Sequence, residues 1–161
     1  MAEGQDDGLT GIHILVDGDA CPVKEEVYKV ARRHALAVRL VTNTYIRVPP
    51  DPLFARVLVG AGFDAADDWI ADHAGNRSIV VTADILLADR CVKVGATVIG
   101  NNGRQFDAAS IGNAVATRAL MADLRAMDQI SGGPPPFSKA DRSRFLSALD
   151  QAVVRLRRLP A

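Results

Sequence analysis

The sequence is poor in cysteine and histidine, with two Cys and three His among 161 residues. Two cysteines do not provide the disulfide framework of a small secreted domain, and tetrahedral zinc sites need more Cys and His ligands close together. We therefore expect no disulfide partner for Cys21 or Cys91. We also expect no structural zinc, and a cytoplasmic protein from a reducing compartment.

Long apolar runs are also missing from the sequence. None approaches the roughly 20 residues that a helix needs to cross a bilayer, so we expect no membrane span. Residues 1–10 lack the basic and apolar segments of a secretory signal and show no periodicity, which predicts a disordered leader. The following segment, 11–158, has the length of a single domain.

The formal net charge is zero, because 19 Lys and Arg balance 19 Asp and Glu. This balance excludes a protein that holds nucleic acid by bulk positive charge, although it permits a local basic patch. Glutamate is scarce among the acids, with three Glu against 16 Asp. Aspartate is favoured in turns, helix caps and compact metal sites, so this bias directs attention to strand ends.

Short apolar runs alternate with segments of helical periodicity along the chain. Buried strands are predicted at 12–16, 37–42, 78–82 and 96–99, with a weaker one at 56–59. Helices are predicted at 23–35, 64–74, 85–94, 111–127 and 138–158, the last after a Pro-rich loop at 131–138. Apolar strands separated by helices predict an α/β fold in three layers, a mainly parallel sheet flanked by helices.

Polar residues follow three of these strands directly. Asp17 and Asp19 follow the first strand, Asp84 follows the strand at 78–82, and Asn101 follows the strand at 96–99. Ligands bind beyond the carboxyl ends of the strands in an open parallel sheet. Carboxylates that meet there repel one another, and Mg²⁺ or Mn²⁺ with its oxygen ligands relieves this repulsion. These four residues are therefore candidate metal ligands.

A simpler interpretation exists for each aspartate, because Asp at a strand-to-helix junction often caps the helix. Asp17 fits this interpretation least, since it precedes the cap position and follows an apolar strand. In the helix at 64–74, helical spacing directs Asp68 and Asp72 to solvent and leaves Asp67 beside the apolar face. We expect Asp67 either to lean towards the strand ends or to remain a solvated rim residue.

Basic residues are concentrated near the carboxyl end of the chain, with six between residues 139 and 158 against two acids. Arg142 and Arg144, together with Lys24, are candidate phosphate contacts beside an acidic metal site. The simpler interpretation is a solvated charged face. For His13, His34 and His73 we expect packing roles rather than metal ligation.

Four segments resemble, in order and spacing, the YaiI/YqxD family of bacterial proteins: DGDACP (17–22), GFDAADDWI (62–70), TADILLA (82–88) and GGPPPFSKADRSRF (132–145). The resemblance covers residues 12–158, nearly the whole chain. That family has no established biochemical function. Its fold is similar to the PIN-domain class and the related NYN group, which are Mg²⁺- or Mn²⁺-dependent ribonucleases with acidic residues at strand ends.

The resemblance implies catalytic roles for three residues, each of which matches one acidic residue of the PIN site. Asp17 matches the first acidic residue of the PIN site, Asp84 the acid after the fourth strand, and Asp67 the helical acid. The last acid of the PIN site would fall near Asn101 or Asn102, where this sequence has no carboxylate. The resemblance thus implies a metal-dependent ribonuclease that acts on RNA with an altered ligand set, for which Asp19 could compensate.

The sequence leaves two other functions open. The first is a non-catalytic RNA-binding or regulatory module, which the missing carboxylate favours. The second is a haloacid-dehalogenase-like phosphatase, because an apolar strand followed by Asp17 and Asp19 resembles the start of that active site. Such a phosphatase also needs a lysine further along the chain. The oligomeric state is open as well.

Overall fold

The computed structural model describes residues 9, 11–19, 21–62, 64–128 and 136–160. The predicted leader, apart from residue 9, and the predicted Pro-rich loop, apart from 136–138, lie outside these residues. The strands are β1 (His13–Asp17), β2 (Ala37–Thr42), β3 (Phe54–Leu58), β4 (Ser78–Val81), β5 (Thr97–Ile99) and β6 (Gln105–Phe106). The helices are α1 (Lys24–His34), α2 (Ala65–His73), α3 (Ile85–Lys93), α4 (Ala108–Ala126) and α5 (Lys139–Arg158).

The strands form a six-stranded sheet in the order β3-β2-β1-β4-β5-β6. Neighbouring strands run parallel except at one edge, where β6 pairs antiparallel with β5. β1 lies between β2 and β4, and its residue His13 is level with Ala37 on one side and Ser78 on the other. The predicted α/β fold with a mainly parallel sheet is confirmed, and it is consistent with a PIN-like three-layer arrangement.

Apolar side chains cover the sheet on both faces, because successive residues of a strand point to opposite sides. Ile14 and Val16 face a core that includes buried residues of α1 and α5. Leu15, between them, faces a second core that includes buried residues of α2, α3 and α4. The fully buried runs of β1 and β4 explain why these strands lack the alternation of a half-exposed sheet.

Local boundaries differ from the predictions at one edge of the sheet. The segment 100–106, for which no strand is predicted, contains β6, which is only two residues long and therefore has no measurable periodicity. α4 begins at Ala108 rather than at residue 111 because Asp107 and Ser110 form a capping box at its start. The weak third strand is Phe54–Leu58, about two residues earlier than predicted.

The histidines have the structural roles that the sequence predicts. His13 is buried, and its two ring nitrogens contact Gly11 O and Ser78 Oγ, each at 2.8 Å. His34 bonds to Asp150 Oδ1 at 2.7 Å, and the ring of His73 stacks on Trp69.

Both cysteines are buried and free, and burial raises the pKa of Cys91 to about 12. Across the described residues, no helix combines the length and apolarity needed to cross a membrane.

The docking of α5 on the sheet gives a direct test of this architecture. Leu149 of α5 is fully buried, whereas Leu120 of α4 is 56% exposed. We expect Leu149→Ala to lower the free energy of unfolding by about 2–5 kcal/mol, because it removes buried contacts and leaves a cavity. Leu120→Ala is the matched control, with an expected change within about 0.5 kcal/mol. Urea denaturation of both variants measures the difference, and equal losses would contradict this placement of α5.

Candidate functional site

Asp17 is the last residue of β1, and its side chain is half-buried at the carboxyl edge of the sheet. Thr82, which follows β4, donates a hydrogen bond from Oγ1 to Asp17 Oδ2 at 2.9 Å. The same Thr82 oxygen accepts the backbone N–H of Asp84 at 3.0 Å. One hydroxyl group therefore joins the carboxylate after β1 to the segment that begins α3.

The turn from Asp17 to Asp19 depends on the glycine between them. Gly18 N donates to Val41 O at 2.8 Å, which brings the turn against β2. A Cβ atom on Gly18 would lie 2.5 Å from Thr42 Cγ2, closer than atoms can approach. The Asp-Gly-Asp motif thus places two carboxylates at one strand end because no side chain intervenes.

Asp19 is held by the loop that follows β2. Its Oδ2 accepts the backbone N–H of Asn43 at 3.1 Å, and its Oδ1 accepts the Thr44 hydroxyl at 3.2 Å. Both bonds orient the carboxylate and leave each oxygen with further acceptor capacity.

Asp84 caps α3, as the simpler interpretation predicts. Its Oδ1 accepts the backbone N–H groups of Leu86 and Leu87, at 2.9 and 3.4 Å. Its second oxygen takes no part in these two bonds. A capping role and a role in the site are therefore compatible for this residue.

The acids of α2 separate as helical geometry predicts. Asp68 is exposed and pairs with Arg90 at 3.0 Å, and Asp72 is exposed as well. Asp67 is half-buried and lines the same cavity as Asp17. Of the two alternatives for Asp67, the geometry fits the one in which it leans towards the strand ends.

These side chains share a cavity of about 530 Å³ at the carboxyl edge of the sheet. We call it the acidic pocket, and its carboxylates belong to Asp17, Asp19, Asp64, Asp67 and Asp84. Three charged residues of its lining are not among the candidates that the sequence gives: Asp64, Arg90 and Arg118. The only sequence signal for Asp64 is its position one turn before Asp67. The two arginines belong to α3 and α4, and no local pattern in the sequence predicts that these helices bring them to the pocket.

The electrostatics of the acidic pocket are unfavourable to its own carboxylates. The pKa of Asp17 is raised to about 6: burial is the largest cause, the bond from Thr82 opposes it, and the carboxylates of Asp67, Asp84 and Asp19 contribute to the rise. Burial also raises the pKa of Asp67, with a second contribution from Asp84. A bound cation would relieve both effects, because it favours the charged form of each carboxylate.

The donor set suits a hard divalent cation that keeps part of its water shell. A smaller cavity of about 290 Å³ is lined by the four predicted metal ligands, Asp17, Asp19, Asp84 and Asn101. Among the described residues, no group of three or more His, Cys, Asp or Glu side chains is arranged to hold a metal ion. Mg²⁺ is commonly held by one or two carboxylates with water and substrate phosphate, so the oxygen donors present fit this mode of binding. The ligand set stays a prediction.

The predicted phosphate contacts already have partners within the protein. Arg142 donates to Pro22 O at 2.7 Å and to Glu26 Oε1 at 3.1 Å. Arg144 pairs with Asp141 one helical turn away, and Lys24 Nζ donates to Cys21 O at 2.9 Å. Their role in phosphate binding stays a prediction, and it requires these bonds to be shared or exchanged.

A further cavity of about 340 Å³ adjoins the acidic pocket on the β5 side. Its lining includes Asn101, which also lines the smaller acidic cavity, and the rings of Phe106 and Phe137. Gly103 closes the loop beneath it with φ +89°, and a Cβ there would lie 2.7 Å from the backbone of Arg144. The loop after β5 therefore contacts α5 through a glycine that no other residue replaces without strain.

The raised pKa of Asp17 predicts a pH-dependent loss of stability in metal-free protein. Because the folded-state value of about 6 exceeds the ordinary 3.8, the folded protein binds this proton more tightly than the unfolded chain. The stability from this group is complete below 3.8 and is lost as the pH rises through about 6. We expect Asp17→Asn to raise the free energy of unfolding at neutral pH by about 1 kcal/mol and the melting temperature by about 3 °C.

Thermal unfolding with a chelator, measured at several pH values, tests this expectation. The advantage of Asp17→Asn should disappear at acidic pH, where the wild-type carboxylate is protonated. Asp123→Asn, on the exposed side of α4, is the matched control and should leave the melting temperature unchanged. An Asp17→Asn variant that is less stable than wild type at neutral pH would contradict the electrostatic argument.

Comparison with known proteins identifies the family of this chain. The family model described as "Uncharacterized BCR, YaiI/YqxD family" matches residues 15–155. A UPF0178 protein of Sphingopyxis alaskensis is 66% identical over 146 residues, which cover 90% of this chain and 95% of that protein. A UPF0178 protein of Nitrobacter winogradskyi is 57% identical over 150 residues, which cover 93% of this chain and 96% of that protein.

The comparison with solved structures gives no match. The family match extends from β1 to α5 and includes all the residues that line the acidic pocket. With these relatives aligned over nearly their whole length, the chain belongs to the YaiI/YqxD family of bacterial proteins.

Proposed function

We propose that this protein is a divalent-metal-dependent ribonuclease that hydrolyses phosphodiester bonds of RNA at the acidic pocket. The observation that supports the proposal is the convergence of five carboxylates on one cavity, around the half-buried Asp17. Perturbed carboxylates clustered in a cleft are typical of functional sites. Helix capping accounts for Asp84, but it does not account for Asp17, which belongs to a strand.

Mg²⁺ or Mn²⁺ is the proposed cofactor, with Asp17 and Asp84 as its main ligands and Asp19 and Asn101 beside them. When bound, such an ion polarises a phosphate group and stabilises the negative charge that develops on it. The second oxygen of Asp84, which takes no part in capping α3, is available for this role.

The protein's own groups have distinct roles in this proposal. Asp67, whose pKa is raised by burial and by Asp84, orients the attacking water and accepts its proton, since a raised pKa makes a carboxylate a better base at neutral pH. Asp19 is fixed by Asn43 and Thr44 and orients the same water. Arg118 is exposed and lines the pocket, where it can contact a phosphate.

One observation favours a second function, that of a non-catalytic RNA-binding module. Asn101 lies where the resemblance to PIN domains implies a last carboxylate, and an amide contributes no charge to metal binding. The phosphatase alternative has less support, because none of the described residues that line the acidic pocket is a lysine.

A paired substitution tests the ribonuclease directly. Asp17→Asn with Asp84→Asn should lower Mn²⁺-dependent cleavage of single-stranded RNA by at least about 100-fold, because it removes both main metal ligands. Asn also caps helices well, so α3 should retain its start. Cleavage of a labelled RNA by purified protein is the measurement, and Asp123→Asn should cleave at the wild-type rate. Cleavage that survives the double substitution would place the activity elsewhere or in a contaminant.

Metal binding has a readout that does not depend on cleavage. Mn²⁺ at about 100 times its dissociation constant should stabilise the wild-type protein by about 2.7 kcal/mol. The Asp17→Asn, Asp84→Asn protein should show no such stabilisation, because too few charged ligands remain. Thermal unfolding over a series of Mn²⁺ concentrations measures the effect. If both proteins respond equally, the metal binds outside the acidic pocket.

A further inference from the structure

An exposed aromatic ring lies beside the acidic pocket on its β2 side. Tyr45 is 70% exposed. It follows directly after Asn43 and Thr44, which hold the carboxylate of Asp19. The guanidinium carbon of Arg56 lies 3.9 Å from the centroid of the Tyr45 ring. The ring is thus held in place by a cation while most of its surface remains open to solvent.

A second aromatic ring lies on the other side of the pocket. Phe137 lines the cavity of about 340 Å³ that shares Asn101 with the smaller acidic cavity. The guanidinium carbon of Arg142 lies 5.1 Å from the Phe137 ring centroid. In the same cavity, that of Arg104 lies 4.8 Å from the centroid of Phe106. This side therefore repeats the combination of an aromatic ring with an arginine.

The order of the strands fixes where the two rings lie relative to the acids. Tyr45 follows β2, Asp17 ends β1, and the Phe137 cavity is lined by residues that follow β4 and β5. Because β1 lies between β2 and β4 in the sheet, Asp17 at the end of β1 lies between the strand ends near which the two rings are found. Strands are about 4.8 Å apart, so the three features follow one another along the edge over a few strand widths.

An aromatic ring, a set of carboxylates and a second aromatic ring, in this order along the sheet edge, suit the binding of an unpaired nucleotide strand. Bases stack on aromatic rings regardless of sequence, while arginines contact the phosphates and contribute cation–π attraction. A duplex offers no free base faces to such rings. The chain has only five Phe, two Tyr and one Trp. Among the described residues four rings are paired with an arginine: Tyr45 follows β2, Phe106 and Phe137 line the cavity of about 340 Å³, and Phe54 begins β3.

We infer that Tyr45 and Phe137 are base-stacking subsites that bind unpaired RNA bases on opposite sides of the acidic pocket. This inference rests on the proposed function, since it takes the phosphate between the two bases as the one that faces the acids. It adds two binding residues to which the sequence patterns and the family resemblance assign no role.

Binding of a fluorescein-labelled oligouridylate, measured by fluorescence anisotropy with a chelator present to prevent metal-dependent cleavage, tests the subsites. Tyr45→Leu and Phe137→Leu should each weaken binding about tenfold, because stacking contributes about 1–3 kcal/mol per base. Tyr45→Phe should bind as tightly as wild type, because it keeps the ring. Leu120→Ala, on the exposed part of α4, is the control for unrelated surface changes and should have no effect.

An abasic oligomer of the same length separates base stacking from contacts with the backbone. Wild type should bind it about tenfold more weakly than the oligouridylate, and the two Leu variants should bind it as wild type does. Equal losses for both oligomers, or unchanged affinity in the Leu variants, would overturn the inference.

The same measurements separate this inference from the proposed function. Base-dependent binding without any Mn²⁺-dependent cleavage supports the subsites and contradicts the proposed ribonuclease activity. Wild-type cleavage that Tyr45→Leu and Phe137→Leu leave unchanged, with unchanged affinity, supports the ribonuclease and removes the subsites.

Discussion

The confinement of the Asp17 carboxylate is the constraint on which the candidate functional site depends. β1 lies between β2 and β4, so its last residue has strands on both sides and cannot turn freely into water. The Thr82 hydroxyl holds one carboxylate oxygen, and the other acids of the pocket surround the group. The carboxylates cannot move apart to reduce their mutual repulsion, because the register of a buried parallel sheet is not free to shift.

The two apolar cores maintain this unfavourable arrangement. Ile14 and Val16 pack on one face of β1, and Leu15 packs on the other. These buried contacts stabilise the strand independently of its last residue, so the charge at its end can remain without unfolding the sheet. A half-buried carboxylate among other acids is typical of regions where function, rather than packing, explains the residue.

Much of the fold follows from patterns that the sequence shows directly. Four clear apolar runs, a weaker one and five periodic segments predict the parallel strands and the helices, because local periodicity and capping residues act within a few positions. The same patterns do not predict β6 or the start of α4, since two residues carry no period and the capping box of Asp107 depends on local hydrogen bonds. The carboxylates at strand ends are predictable, because parallel strands end at one edge.

The sequence by itself therefore determined the α/β architecture and the positions of Asp17, Asp19 and Asp84 at the strand ends. Only the tertiary structure decided which groups share the acidic pocket, including Asp64 and Arg118, and which arginines are already paired. It also decided that Tyr45 contacts Arg56 and that Phe137 lines the cavity of about 340 Å³. The physical reason is distance along the chain, because contacts between remote segments depend on how helices and loops pack across the sheet rather than on neighbouring residues.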